Sequence, residues 1–87
     1  MTSGPMRRSY FVALAFIRND DGSIVPGPAV ECSSAVQAAL RADVLAQTAG
    51  NVGAVAFSRT EKDVGIFANA VILAEFGDVP SDLEMLF

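Results

Sequence analysis

Histidine and tryptophan are absent from the 87-residue sequence, and cysteine occurs only once. A single cysteine excludes an internal disulfide framework, and a zinc site within one chain is not expected where histidine is missing. The same lack leaves Ser33 and Ser34 without the imidazole base that a nucleophilic serine needs. We therefore predict no catalytic residue, no cofactor and no metal site, and we do not expect an enzyme.

Positive charge is also scarce. The chain has six Lys and Arg residues against ten Asp and Glu residues, which gives a formal net charge of −4. The cations are scattered along the sequence, and only Arg7 and Arg8 are adjacent. Because proteins that bind nucleic acids concentrate Lys and Arg on one surface to neutralise phosphates, this distribution predicts no nucleic-acid partner.

Long apolar runs are missing too. No run approaches the ~18–20 residues of a membrane-spanning helix, so we predict no membrane partner. Arg7 and Arg8 followed by residues 10–17 resemble a short signal peptide, but this run ends at the polar residues 18–21 without a small-residue cleavage site. We therefore expect a cytoplasmic protein with a strand at this position.

The sequence is instead rich in apolar side chains, which make up 52% of its residues, while charged residues make up 18%. Average domains contain about 45–50% apolar residues, glycine included, and about 25% charged residues. A chain of this length forms a single small domain that buries only about 60–65% of the surface exposed on unfolding. We assign residues 1–8 to a disordered leader and residues 9–87 to one domain. The apolar content of this domain exceeds what a small monomer needs.

The first half of the chain predicts a β-hairpin. The aromatic-rich residues 9–18 form a strand, the polar residues 19–22 form a turn, and residues 23–25 form a short returning strand. Pro26 and Pro28 lack backbone donors, so any continuation of the second strand is at best an edge strand.

The second half predicts one helix followed by two strands. The helix begins at Ser33 or Ser34, where residues 34–37 fit the capping-box pattern, and Gly50 ends it. The strands cover residues 52–60 and 66–76, and residues 81–84 begin a short C-terminal helical turn. The predicted fold is therefore α+β, in the order ββαββ, with one helix covering a single layer of mainly antiparallel sheet.

Both faces of this sheet are apolar, because each long strand alternates small with bulky apolar side chains. The helix likewise carries two apolar stripes, one formed by Val36, Leu40 and Val44 and one richer in alanine. One helix covers only one sheet face, so we predict that the bulky face is the interface of a homodimer. The candidate interface residues are Tyr10, Val12, Leu14, Val55, Phe57, Phe67, Val71 and Leu73. In the alternative interpretation, the hairpin or the C-terminal residues of the same chain fold over this face.

Two polar features lie outside the apolar surface. A charge cluster on the loop between the last two strands is interpreted either as a solvated turn or as a recognition loop; its residues are Arg59, Glu61, Lys62 and Asp63. Cys32 lies just before the helix, where backbone amides favour a thiolate, but Glu31 beside it opposes this effect. We interpret Cys32 as a small packed residue.

Three stretches, residues 31–35, 53–59 and 78–83, resemble short bacterial proteins of unknown function. This resemblance implies no activity and no site residue. The composition and the two apolar sheet faces favour a small cytoplasmic homodimer that acts as an interaction or regulatory module and docks a protein partner. The alternative function is a small-molecule-binding domain with a pocket at the dimer junction.

Overall fold

The computed structural model describes residues 8–61 and 70–80. The elements follow the order β1 (Arg8–Arg18), β2 (Ile24–Cys32), α1 (Ala35–Gln47), β3 (Gly53–Glu61) and β4 (Val71–Gly77). The predicted α+β fold with the order ββαββ is therefore confirmed. Arg8, which the sequence assigned to the leader, instead begins β1. The rest of the leader, residues 66–69 of the last predicted strand and the C-terminal helical turn lie outside the described residues.

The four strands form one antiparallel sheet in the spatial order β2-β1-β3-β4. Since β2 and β3 both run antiparallel to β1, they are parallel to each other, and α1 connects them across β1. Among the described strands, β2 and β4 are the two edges of the sheet.

The second strand is longer than the sequence predicted. It extends over nine residues and includes Pro26 and Pro28. β2 lies at the edge of the sheet, as predicted for a strand that contains these prolines. Its pairing with β1 shifts in register between the pair Leu14–Ala29 and the pair Phe16–Pro26, which marks a β-bulge. The sequence prediction ended the strand at residue 25 because Pro26 and Pro28 lack the backbone donors of a regular ladder.

The turn between β1 and β2 is closed by polar groups of its own residues. The Asn19 amide donates to the Ser23 carbonyl at 2.8 Å, and Gly22 adopts a φ of 90° that favours glycine. The Ser23 hydroxyl and amide donate to the Asp21 carboxylate at 2.7 and 2.9 Å, and these bonds hold the pKa of Asp21 below its usual value. They therefore stabilise the turn at neutral pH, and their contribution is lost as the pH falls through that lowered pKa.

The helix begins where the capping box predicts. Ser34 is the N-cap, has an extended backbone, and its Oγ accepts a hydrogen bond from the Gln37 amide at 3.1 Å. This is the serine half of the predicted capping box, and it gives a partner to one of the amides that the first helical turn leaves unpaired.

Replacing this serine tests the cap. We expect Ser34→Ala to lower the free energy of unfolding by about 1 kcal/mol, because the Gln37 amide loses its acceptor. Urea denaturation followed by circular dichroism measures the change. The exposed neighbour Ser33 provides the matched control Ser33→Ala, and equal effects of the two variants would contradict Ser34 as the N-cap.

The last turn of the helix is closed by two donors to one carbonyl oxygen. The helix ends at Gln47, and the Asn51 side-chain amide donates to the Leu45 carbonyl at 2.9 Å. The Thr48 amide donates to the same carbonyl at 3.1 Å. Gly50, with a φ of 94°, redirects the chain towards β3, but it lies two residues beyond the C-cap Thr48, which corrects the prediction that this glycine ends the helix.

The helix packs on the alanine-rich face of the sheet. Five alanines with no exposed surface form the centre of this contact, namely Ala13, Ala38, Ala42, Ala54 and Ala56. Because these side chains are small, the helix backbone can approach the sheet closely. The sequence left open which sheet face the helix covers, and the structure places it on the face with the smaller side chains.

A second buried cluster lies on the bulky face of the sheet. It contains Leu14, Phe16, Val55 and Phe57. Half-buried apolar residues from several parts of the chain pack around it, namely Val12, Ile24, Val52, Ala70 and Val79. One of these, Ile24, belongs to β2, the neighbouring strand of the same sheet. The sheet therefore has apolar core on both faces.

Candidate functional site

The residues predicted to form the dimer interface differ in how much surface they expose. Leu14, Val55 and Phe57 are at most 8% exposed within a single chain, so they offer little surface to a partner. Tyr10 and Val12 are half-buried on the same face. The alternation along the strands predicted that these apolar side chains lie on one face of the sheet. It gave no information about how much of this face the chain itself covers.

The exposed members of the predicted interface lie in the last strand. Val71, Ile72 and Leu73 are 59%, 37% and 37% exposed, and we call these three residues the strand patch. Val71 and Leu73 were predicted at the interface, whereas Ile72 was assigned to the opposite face. Phe67, the remaining predicted residue, lies outside the described residues.

A β-bulge explains why alternation assigned the last strand incorrectly. Ile72 pairs with Phe57, and Val71 pairs with Ser58, because Leu73 is an extra residue that interrupts the regular register. Residues paired across an antiparallel ladder lie on the same face. Ile72 therefore belongs to the bulky face, and Val71 belongs to the face that carries the helix.

A second exposed apolar surface lies on the helix. Val36, Leu40 and Val44 are 68%, 60% and 58% exposed, and we call them the helix stripe. They are spaced four residues apart and so lie on one side of α1, while Ala38 and Ala42 are buried against the sheet. The sequence predicted two apolar stripes on this helix, and the alanine-rich one faces the core.

The predicted recognition loop is in part a strand. Arg59 pairs with Tyr10, and Glu61 pairs with Arg8, because β3 continues along β1 to its end. Arg59 and Glu61 therefore lie in β3 rather than on a loop, which corrects the prediction. Lys62 and Asp63 lie outside the described residues.

The lone cysteine is part of the packing between helix and sheet. Cys32 ends β2, is half-buried and packs against the alanine cluster under the helix. Its Sγ lies 3.6 Å from the Val30 carbonyl oxygen. This placement agrees with the interpretation of Cys32 as a small packed residue. Within residues 8–61 and 70–80, no three His, Cys, Asp or Glu side chains are grouped to hold a metal ion.

The structure is a small α+β domain in which one helix packs on the alanine-rich face of an antiparallel sheet. Its exposed apolar surfaces are the helix stripe and the strand patch. Comparison of the chain with protein-family models, curated proteins and solved structures gave no match. The resemblance to short bacterial proteins is therefore neither supported nor contradicted. In the part of the chain that the structure describes, the helix is unable to span a membrane.

Proposed function

We propose that this chain is a homodimeric protein-interaction domain of the cytoplasm. The supporting observation is the amount of large apolar surface that one chain leaves in solvent. The six residues of the helix stripe and the strand patch are between 37% and 68% exposed. Soluble monomers rarely expose contiguous apolar patches larger than a few hundred Å², and larger patches mark sites of interaction.

The occupant of this surface is a second copy of the chain. None of the six residues carries a charge, so two copies bring these patches together without burying like charges, although each chain has a net charge of −4. The interface in this proposal uses exposed residues, whereas most of the predicted bulky face is already covered within one chain.

Self-association in solution tests the proposal. We expect the 9.1 kDa chain to form a monomer–dimer equilibrium between micromolar and millimolar concentrations, measured by sedimentation equilibrium. Because burial of apolar surface drives this association, high salt should leave the dimer intact, whereas it would screen an association based on exposed charges. A mass of 9.1 kDa at every concentration would contradict the proposal.

A further inference from the structure

The turn between β1 and β2 contains the sequence Asp21–Gly22, which is the only Asp–Gly or Asn–Gly sequence of the chain. Aspartate followed by glycine is prone to isomerisation, because glycine has no Cβ to hinder attack by its backbone nitrogen on the neighbouring carboxyl group. The other aspartates precede Asp, Val or Leu, whose side chains hinder this attack. Asp21–Gly22 is therefore the position of the sequence most open to this backbone modification.

The modification needs only water and no oxidant or reductant. The Gly22 nitrogen attacks Cγ of the protonated Asp21 carboxyl group, a C–N bond forms, and the carboxyl hydroxyl leaves with the amide hydrogen as water. Water then opens the resulting cyclic imide at either of its carbonyl groups. Opening at one carbonyl restores the aspartate. Opening at the other gives isoaspartate, in which the backbone runs through Cγ and is longer by one carbon.

Burial does not shield this pair of residues in the folded turn. Asp21 and Gly22 are both exposed, and an added Cβ at Gly22 would meet nothing within 4 Å. Water therefore reaches both groups, and no neighbouring atom blocks closure of the imide ring. Any protection of the folded chain must come from the hydrogen bonds that the two residues make.

Both reacting groups are hydrogen-bonded within the turn. The Gly22 amide donates to the Asn19 carbonyl at 2.9 Å, and this bond is lost when the nitrogen gives up its hydrogen. The Asp21 carboxylate accepts hydrogen bonds from the hydroxyl and the amide of Ser23 at 2.7 and 2.9 Å. Bonds donated to a carboxylate favour its ionised form, whereas ring closure needs the protonated acid. The turn therefore stabilises the unreactive form of both groups.

We infer that Asp21–Gly22 is a site of aspartate isomerisation that the folded hairpin turn keeps unreactive and that unfolding opens to reaction. Isoaspartate lengthens the backbone between the Asn19 carbonyl and the Gly22 amide, so the hydrogen bond that joins them in the turn cannot form with the same geometry. A chain that isomerises while it is unfolded therefore loses the turn that connects β1 to β2. This inference does not depend on the proposed homodimer.

The rates of isomerisation in the folded and the unfolded chain test the inference. The full chain is kept at one temperature and pH, either in buffer or in guanidinium chloride, and circular dichroism establishes that it is folded in the first and unfolded in the second. After removal of the denaturant, trypsin releases residues 19–41, which lie between Arg18 and the bond after Arg41 without another Lys or Arg. Liquid chromatography with mass spectrometry measures the isoaspartate form, which has the same mass and a different retention time.

We expect residue 21 to isomerise about tenfold more slowly in the folded chain than in the unfolded chain, because hydrogen bonds to both reacting groups must first break. Equal rates in the two states would overturn the inference. Absence of isoaspartate from the unfolded chain would overturn it as well, since the site would then have no reactivity to suppress.

A serine variant tests whether the hydrogen bonds of the turn provide the protection. In Ser23→Ala the Asp21 carboxylate keeps only the backbone donor, so we expect the folded variant to isomerise about threefold faster than the unchanged chain. Ser33→Ala removes an exposed hydroxyl outside the turn and should isomerise like the unchanged chain. Equal rates for the two folded variants would overturn the inference. If Ser23→Ala does not fold, the comparison of the folded and unfolded unchanged chain decides.

A second variant establishes which residue carries the modification. The released peptide also contains Asp20, which has the same chemistry but precedes Asp21 rather than a glycine. Asp21→Glu keeps the carboxylate, but its longer side chain would have to close a larger and less favourable ring. We therefore expect the isomerised product to be absent from the unfolded Asp21→Glu chain. A product that persists in this variant would place the modification at another residue and overturn the inference.

Discussion

Replacing Phe16 with alanine is expected to lower the free energy of unfolding by about 3–5 kcal/mol. Phe16 has no exposed surface and belongs to the cluster on the bulky face, where Leu14 and Val55 surround it. The truncation removes buried aromatic surface and leaves a cavity that the neighbouring strands can close only in part. A domain of this size has a total stability of about 4–13 kcal/mol, so the variant loses a large fraction of it.

Urea denaturation and thermal unfolding measure this loss, and we expect Tm to fall by about 15 °C or more. The matched control is Phe16→Leu, which removes less apolar volume than alanine does and should cost less than about 2 kcal/mol. A loss for Phe16→Ala no larger than for Phe16→Leu would mean that the bulky face is not packed as described.

Replacing Gly53 with alanine is expected to cost about 3 kcal/mol, at the upper end of the effect of overpacking. Gly53 begins β3, is buried, and pairs with Phe16 on one side and Gly77 on the other. A Cβ at this position would collide with the Asp78 backbone, whose nitrogen and carbonyl carbon would lie 2.7 Å away, as well as with its carbonyl oxygen. A backbone neighbour cannot move aside as a flexible side chain can.

The segment after β4 is held in place at this crossing. The Asp78 amide donates to the Val52 carbonyl at 2.9 Å, and the Val52 amide donates to the Phe16 carbonyl at 2.9 Å. Arg18 lies 3.3 Å from the Asp78 carboxylate, but both groups are exposed, so this ion pair contributes little. Any shift of Asp78 that makes room for the Cβ therefore disturbs its backbone hydrogen bond to Val52, which is in turn bonded to Phe16 of β1.

Gly27 provides the matched control for this substitution. It lies in β2, and an added Cβ would come no closer than 3.5 Å to Ala15 and Ile17, which is ordinary contact. We expect Gly27→Ala to change the free energy of unfolding by less than about 1 kcal/mol. Alanine lowers the conformational entropy of the unfolded chain, and this gain offsets the cost of small shifts of neighbouring atoms in the folded chain. Equal losses for Gly53→Ala and Gly27→Ala in urea denaturation would rule out the steric cause.

Features that depend on neighbouring residues were predicted well. The turn at residues 19–22 and the N-cap at Ser34 both carry signals within four or five residues of sequence. The first strand was predicted to within one residue, since its apolar run is bounded by polar residues at its C-terminal end.

Features that depend on pairing between strands were predicted less well. β2 continues to Cys32 because its residues on both sides of the bulge pair with β1, although two prolines favoured an early end. The bulge at Leu73 changes which side chains share a face, and no residue in the run 71–77 indicates it. The register of a strand is a property of the pair, so it is not encoded in either strand alone.

The pattern of residues was sufficient to establish the α+β class, the order of the elements, the position of the helix and the excess of apolar side chains on both faces of the strands and helix. Where that excess is exposed depends on how the chain folds. Leu14, Val55 and Phe57 are covered by their own chain, while the helix stripe and the strand patch remain in solvent. Burial depends on which segments pack together in space, whereas periodicity reports only which side of an element a residue occupies.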